Sequence, residues 1–348
     1  MKHLYFKSLI VLLVMAIAMP ATVLAKDNED IIYYDSDGNV VSTKSQAEFY
    51  RVIKQKGKKL EAKDYYVSNG KQRLTGNIYS MDYENDANVK WDGDVKGYYP
   101  TGKQMFVYHF DKGRPVGDHF EYYQSGQVKS ENHYVNYKLQ GPSLTYYDNG
   151  QIATSVNYTA GLANGEYVSY SEDGMLLSKG RYVDDLRQGN FFVYSEDGKP
   201  EQIGRFYNDE LDGRIITYYP SGVISSIVTM DEGKLEGESI SYFENGMIQE
   251  RSVNRNDKSD GDFIRYYENG MVQIKGHFTN DEMNGEFVWY NENGKETDRA
   301  VYRNGERTSG SNRSTTRSGN NRRGNNNANI NGIDLNTLNK LFPGKKRR

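Results

Sequence analysis

The chain has 348 residues, more than a single simple hydrophobic core organises, with 35 Gly, 30 Tyr and only 36% apolar residues. Such a composition describes a turn-rich protein with thin cores, and the absence of cysteine excludes a disulfide framework, a thiolate metal site and a cysteine nucleophile. The net charge of −3 conceals a division: residues 26–302 hold 31 basic and 45 acidic side chains, whereas residues 303–348 hold eleven Lys or Arg against Glu306 and Asp334. A body that acidic is a poor surface for nucleic acid, so no nucleic-acid partner is expected.

Residues 1–25 place Lys2 and Lys7 ahead of the apolar run Leu9–Met19, followed by Pro20 and by small residues flanking Leu24. This is the pattern of a secretory signal peptide cut after Ala25. The run is shorter than the roughly 20 residues that span a bilayer, so no transmembrane segment is expected after cleavage. The predicted location is therefore outside the cytoplasm, in a periplasm or on the outer cell surface. Residues 26–92 repeat a four-residue Tyr-to-Gly spacing at Tyr34/Gly38 and Tyr66/Gly70. They read as two degenerate capping repeats that blunt the first sheet edge.

From Gly93 a glycine returns every 24 residues to Gly285, and a second series nine residues later runs from Gly102 to Gly294. Four residues before each of the second series stands a tyrosine: Tyr98, Tyr122, Tyr146, Tyr170, Tyr194, Tyr218, Tyr242, Tyr266 and Tyr290. In GEYVSYSEDG (165–174) Val168 and Tyr170 alternate with polar neighbours, the period of a strand with one buried face, and the second glycine supplies a hairpin turn. The return strand carries an aliphatic residue such as Leu176, then an aromatic one such as Tyr182 or Phe206, and a polar loop such as 207–213 leads onward. The prediction is an all-β protein: an elongated open sheet or solenoid of about nine antiparallel hairpin repeats over 93–308. The tyrosines named above are expected in its core.

These residues, G-x-x-x-x-Y-[YSFN]-x-x-G followed by an aliphatic and then an aromatic residue, resemble the MORN-like repeat variant of bacterial proteins. The resemblance implies curved β-hairpin sheets acting as non-catalytic scaffolds that contact proteins or lipid head groups, and many bacterial relatives carry an antitoxin label.

Beyond the repeats, residues 309–331 read as a flexible Asn/Ser/Arg/Gly linker in a disordered C-terminal tail. Residues 332–348 place Ile333, Leu335, Leu338, Leu341 and Phe342 before Pro343, as one short amphipathic helix ending in Lys345, Lys346, Arg347 and Arg348. Leu335, Leu338, Leu341, Phe342 and the four basic residues form a candidate docking element. The tail either folds back on the acidic body or reaches an external partner.

No residue set commends itself for catalysis, metal or cofactor. His109, His133 and His277 share one repeat offset, but equivalent positions in adjacent hairpins lie about 9.6 Å apart, too far for one zinc. The recurring Asp and Glu of strand ends and turns read as solvated chemistry. A second aromatic series, Tyr99, Tyr123, Tyr147, Tyr219, Phe243 and Tyr267, points to the face opposite the first and is the candidate partner-binding surface. The sequence thus points to an exported non-enzymatic scaffold for a protein or peptide of the cell envelope. A glycan- or anionic-lipid-binding surface module is the alternative, and an antitoxin-type neutralising protein or an enzyme ranks below both.

Overall fold

The computed structural model describes residues 29–81, 85–310, 329–330, 333–334, 338 and 340–342. Residues 1–25, expected to be a signal peptide, most of the expected linker, Leu335 and Lys345–Arg348 lie outside the described residues. Thirty strands belong to one antiparallel open sheet, and the chain divides into two compact units. The first comprises 1–151 with 158–161, the second 152–157 with 162–348.

The first unit begins with a core of its own. Strands Glu29–Tyr34, Phe49–Lys56, Lys59–Tyr66 and Gln72–Ser80 pair in turn. Their inner sides bury Ile32, Tyr34, Phe49, Ile53, Ala62 and Ile78. In that core lies a fully buried ion pair: Arg51 Nε donates to Asp64 at 2.7 Å and Arg51 Nη2 to Asp86 at 2.6 Å, while Arg73 reaches Asp64 at 3.0 Å. Burial works against the Arg51 charge, but the two carboxylates outweigh it and hold the guanidinium protonated. Burial also pushes the Tyr34 phenol up to about 12. From Gly93 the regular repeats follow within this unit, with Gly93–Tyr98 paired to Gln104–Asp111 and Gly117–Tyr122 to Val128–Val135.

The second unit continues the same pattern, with Leu162–Tyr170 paired to Leu176–Val183, Gly189–Tyr194 to Pro200–Tyr207 and Gly213–Tyr218 to Ile224–Asp231. Each hairpin closes as the sequence predicts. Gly102, for example, has φ +92°, and its N–H donates to Tyr99 O at 2.8 Å while Tyr99 N–H donates to Lys103 O at 2.8 Å. That geometry is a tight turn ending in a left-handed residue that non-glycine side chains resist.

The expected polar loop between hairpins is instead a second tight turn. Asn208 and Asp209 have φ +49° and +72°, and Glu210–Leu211 re-enters the sheet against Tyr207 and Phe206. Positive φ at both central residues defines the type I′ turn, for which Asn and Asp are chosen because they tolerate the left-handed region. This turn also staples neighbouring repeats. The N–H of Asp257 donates to Leu235 O at 3.1 Å, and its carboxylate accepts from Leu235 N at 2.7 Å. Asp185 with Ala163 and Asp209 with Arg187 make the same reciprocal pair, at the same separation of 22 residues.

The buried side is also exchanged relative to expectation. The nine tyrosines from Tyr98 to Tyr290 are all only half-buried. The inner face is formed instead by residues such as Val95, Tyr167, Phe191, Ile215, Phe263 and Phe287. The reason is visible at Ser169 and Ser178: both are buried and hydrogen-bonded to each other at 2.6 Å. Small polar pairs that satisfy one another occupy inner positions that read as solvent-facing in the sequence. The tail departs from expectation too. Ile333 and Asp334 are extended and paired with Ile330 and Asn329, so the helix does not begin at residue 332. Asn331-Gly332, a dipeptide that favours tight hairpins, separates the paired residues in sequence. Helical structure is confined to Leu338, Lys340 and Leu341 among the described residues of the tail.

The Asp257 staple gives a direct test. Asp257→Ala should destabilise the fold by about 1–3 kcal/mol, because the N–H of Leu235 loses its acceptor and alanine must adopt a positive φ. Asp257→Gly should cost less, since it relieves the backbone and removes only the carboxylate; denaturant unfolding of both variants checks the order.

Candidate interaction face

The inner face presents side chains from both strands of every hairpin. In the second unit Phe191, Val193 and Phe206 are each 4% exposed or less, and Ile215 is fully buried. Directly opposite Phe191 across the hairpin is Gly204. A β-carbon added there would lie 2.5–2.6 Å from Ile215 and the Phe191 ring, so only glycine lets the ring lie flat on the strand. Gly276 cradles Phe287 similarly, at 2.4 Å.

At the equivalent position in the preceding repeat, Gly180, the ring comes from elsewhere in the sequence. Phe342 of the tail lies over it, 2.6 Å from where a β-carbon would be, with ring centroids 5.4 Å from Tyr167, 5.8 Å from Phe191 and 6.1 Å from Phe206. Phe342 is 1% and Leu338 2% exposed. A helical hydrogen bond from Phe342 N to Leu338 O at 2.8 Å puts both side chains on one side of the turn. Arg187 closes the edge: its guanidinium stacks on Phe206 at 4.3 Å, and Nη1 donates to Phe342 O at 3.3 Å. Two of the predicted docking residues, Leu338 and Phe342, are therefore brought together on the chain's own sheet, while Leu341 is half-buried.

The second aromatic series lies at the turn edge, half-buried. The hydroxyls of Tyr99, Tyr123, Tyr219 and Tyr267 donate to the carbonyls of Tyr122, Tyr146, Tyr242 and Tyr290 in the following repeat, at 2.6, 2.6, 2.6 and 2.9 Å. Tyr147 has the same class of environment, and Phe243 carries no hydroxyl. The arrangement binds one repeat to the next.

The three histidines at a shared offset each meet an aspartate of their own hairpin. His109 Nδ1 lies 2.7 Å from Asp94, His277 Nδ1 lies 3.0 Å from Asp262, and His133 pairs with Asp118. No cluster of three or more potential metal ligands occurs among the described residues.

A fourth histidine, which its spacing does not single out, belongs to the inner face of the first unit. His119 is 7% exposed and stacks on Tyr108 at 4.8 Å and against Tyr134 at 4.6 Å, with its Nε2 2.8 Å from His109 O. Its signal in the sequence is the inner-face position two residues after Gly117, which elsewhere holds Phe191 or Ile215. Burial holds its imidazole below the usual histidine range, and burial with the Glu121 hydrogen bond pushes the Tyr108 phenol up. Phe106, Tyr108, Phe110 and Tyr134 around it remain half-buried.

Two tests follow from this face. Phe191→Ala should cost about 3–5 kcal/mol, as truncations of buried aromatics do, whereas half-exposed Tyr194→Ala should cost well under half as much in the same unfolding assay. His119 provides a pH test. Its folded-state pKa is depressed, so its contribution is present above the unfolded value near 6.5 and is lost as pH falls through the folded value. Stability should therefore decline as pH falls below about 6.5, and His119→Gln should flatten that decline.

The family-model comparison agrees with the repeat architecture. A family model described as the MORN repeat variant matches residues 115–136, 139–160, 163–184, 235–253 and 259–280. No curated protein matches the sequence. Among solved structures, the crystal structure of TcdB2-TccC3-Cdc42 is aligned at 13% identity over 79% of this chain and 17% of that one, with a TM-score of 0.18. The Photorhabdus luminescens Tc holotoxin pore is aligned at 13% identity over 78% and 17%, with a TM-score of 0.19. The chain thus spans about 17% of the length of these structures. By its glycine and tyrosine series, its paired turns and the five matched segments, the chain carries repeats similar to the MORN repeat variant over parts of residues 115–280.

Proposed function

We propose that the chain is an exported, non-catalytic repeat scaffold that binds a protein or peptide partner of the cell envelope. The observation that carries this reading is the seating of Leu338 and Phe342 on the inner face: a short apolar segment remote in sequence is held by repeats 163–211. A face that accepts one such segment has the chemistry to accept a peptide, with flat glycine-backed aromatics for apolar side chains and Arg187 for a main-chain carbonyl. The charged residues of Lys2 and Lys7 ahead of an apolar run support export. Histidines that each pair with a separate aspartate, at repeat spacing, support structural rather than catalytic use. The half-buried run Phe106, Tyr108, Phe110 and Tyr134 favours the alternative of glycan binding in the first unit.

Cross-linking in intact cells followed by mass spectrometry tests the reading. The expected result is a mature chain lacking residues 1–25 in the envelope fraction, with recurrent cross-links from 163–218 to one protein. A cytoplasmic chain that retains its first 25 residues, or cross-links to glycan or lipid alone, would overturn it.

A further inference from the structure

The site at Gly180 differs from its equivalents in how it is filled. At Gly204 and Gly276 the ring over the glycine is part of the repeats, Phe191 and Phe287. At Gly180 it is Phe342, joined to the repeats only through the 27 residues between Gly310 and Leu338, a stretch rich in Asn, Ser, Arg and Gly. Beside it Leu338 lies against a recess of about 390 Å³ lined by Val193, Gln202, Thr217 and Tyr219. Gln202 is 7% exposed, and its side-chain amide nitrogen is buried with no hydrogen-bond partner. The seated tail therefore fills the apolar part of the groove and leaves a buried donor unsatisfied, which a guest with an acceptor group would engage.

We propose that the inner face of 163–218 is a groove for an amphipathic helical peptide presenting an aliphatic and an aromatic side chain four residues apart, and that the chain's own Leu338–Phe342 segment is its displaceable resident. This deepens the scaffold reading and rests on it, by naming the ligand class and the device that keeps the groove covered. The two anchors at i and i+4 match the helix-in-groove mode of recognition, in which one turn supplies both side chains. The tether makes occupancy intramolecular. Taking an effective concentration of about 1 mM for the tethered segment and an intrinsic Kd of about 100 µM, the tail holds the groove roughly ten to one and weakens an external peptide about tenfold. A tighter guest then displaces the tail without any change in the repeats.

The test uses a fluorescent synthetic peptide of residues 332–348 and the full chain. Wild type should bind it about tenfold more weakly than a Leu338→Ala/Phe342→Ala variant, whose groove is vacated. Adding Gly180→Ala to that variant should abolish binding, because the new β-carbon occupies the place of the Phe342 ring. Gly180 does not have a positive φ, so the backbone tolerates the change, and thermal unfolding of each variant confirms that it is folded. Equal peptide affinity for wild type and the double variant, no binding to the double variant, or indifference to Gly180→Ala would each overturn the proposal. If the peptide fails to bind while cross-linking still finds one envelope protein on 163–218, the groove's ligand class is wrong and the scaffold reading stands.

Discussion

Successive repeats are tied by hydrogen bonds at the I′-turn end of the hairpin and, at Tyr99, Tyr123, Tyr219 and Tyr267, at the other end as well, and the register of the fold depends on these bonds. At one end the type I′ turn returns its second N–H to a carbonyl 22 residues earlier, as in Gly161 to Leu139, Asp209 to Arg187 and Gly305 to Met283. At the other end a tyrosine hydroxyl reaches a carbonyl 23 residues later, as in Tyr219 to Tyr242. Between these ends the main ladder linking successive hairpins is narrow: Ser178 and Lys179 face Val193 and Phe192, and Gln202 and Ile203 face Thr217 and Ile216. With so little strand pairing between hairpins, the end bonds fix the register. The 24-residue period is the chain length that lets both reach their partners.

The fold was legible because its punctuation is chemical. Gly at the turn, Asn or Asp at the I′ positions and tyrosine four residues before the glycine each answer a backbone or hydrogen-bonding need that recurs with the period. The side that would be buried was not legible from hydropathy. Ser169, Thr217 and Gln202 occupy inner positions, while the more conspicuous tyrosines line the opposite side, half-buried. Their regularity reports the geometry of the hairpin end more than the core. His119 was hidden for a similar reason, as a polar type in a position set by repeat offset. The apolar residues of the tail were readable as a docking element, but their target depended on Gly180, whose lack of a side chain acquires meaning only beside the Phe342 ring.

The first 60 or so described residues solve a different problem. They have fewer recurrent turns, and they concentrate stability in one place through Arg51, Asp64 and Asp86, sealed by Tyr34 and Trp91 at 5.3 and 5.1 Å from the guanidinium. Buried ion pairs add little net stability against an apolar alternative, but they penalise misregistered pairing heavily because a displaced charge stays buried and unmatched. Arg51 and Asp64 lie on paired strands, and their bond selects the register in which both are satisfied. The first strands are thereby set by an all-or-none contact, whereas the later repeats rely on many small ones.

The reciprocal staples also carry a consequence for how such a chain can change over generations. A repeat offers its neighbours the same donors and acceptors that it receives, so a duplicated or deleted 24-residue block leaves the junction chemistry intact. The number of repeats is therefore free to drift while the period is not. Gly180 stands apart from this interchangeability, because its partner lies in the tail and not in the next block. A duplication between Gly180 and Gly310 would lengthen the path to Phe342, and would turn an inherited copy-number change into a change in how readily the groove is uncovered.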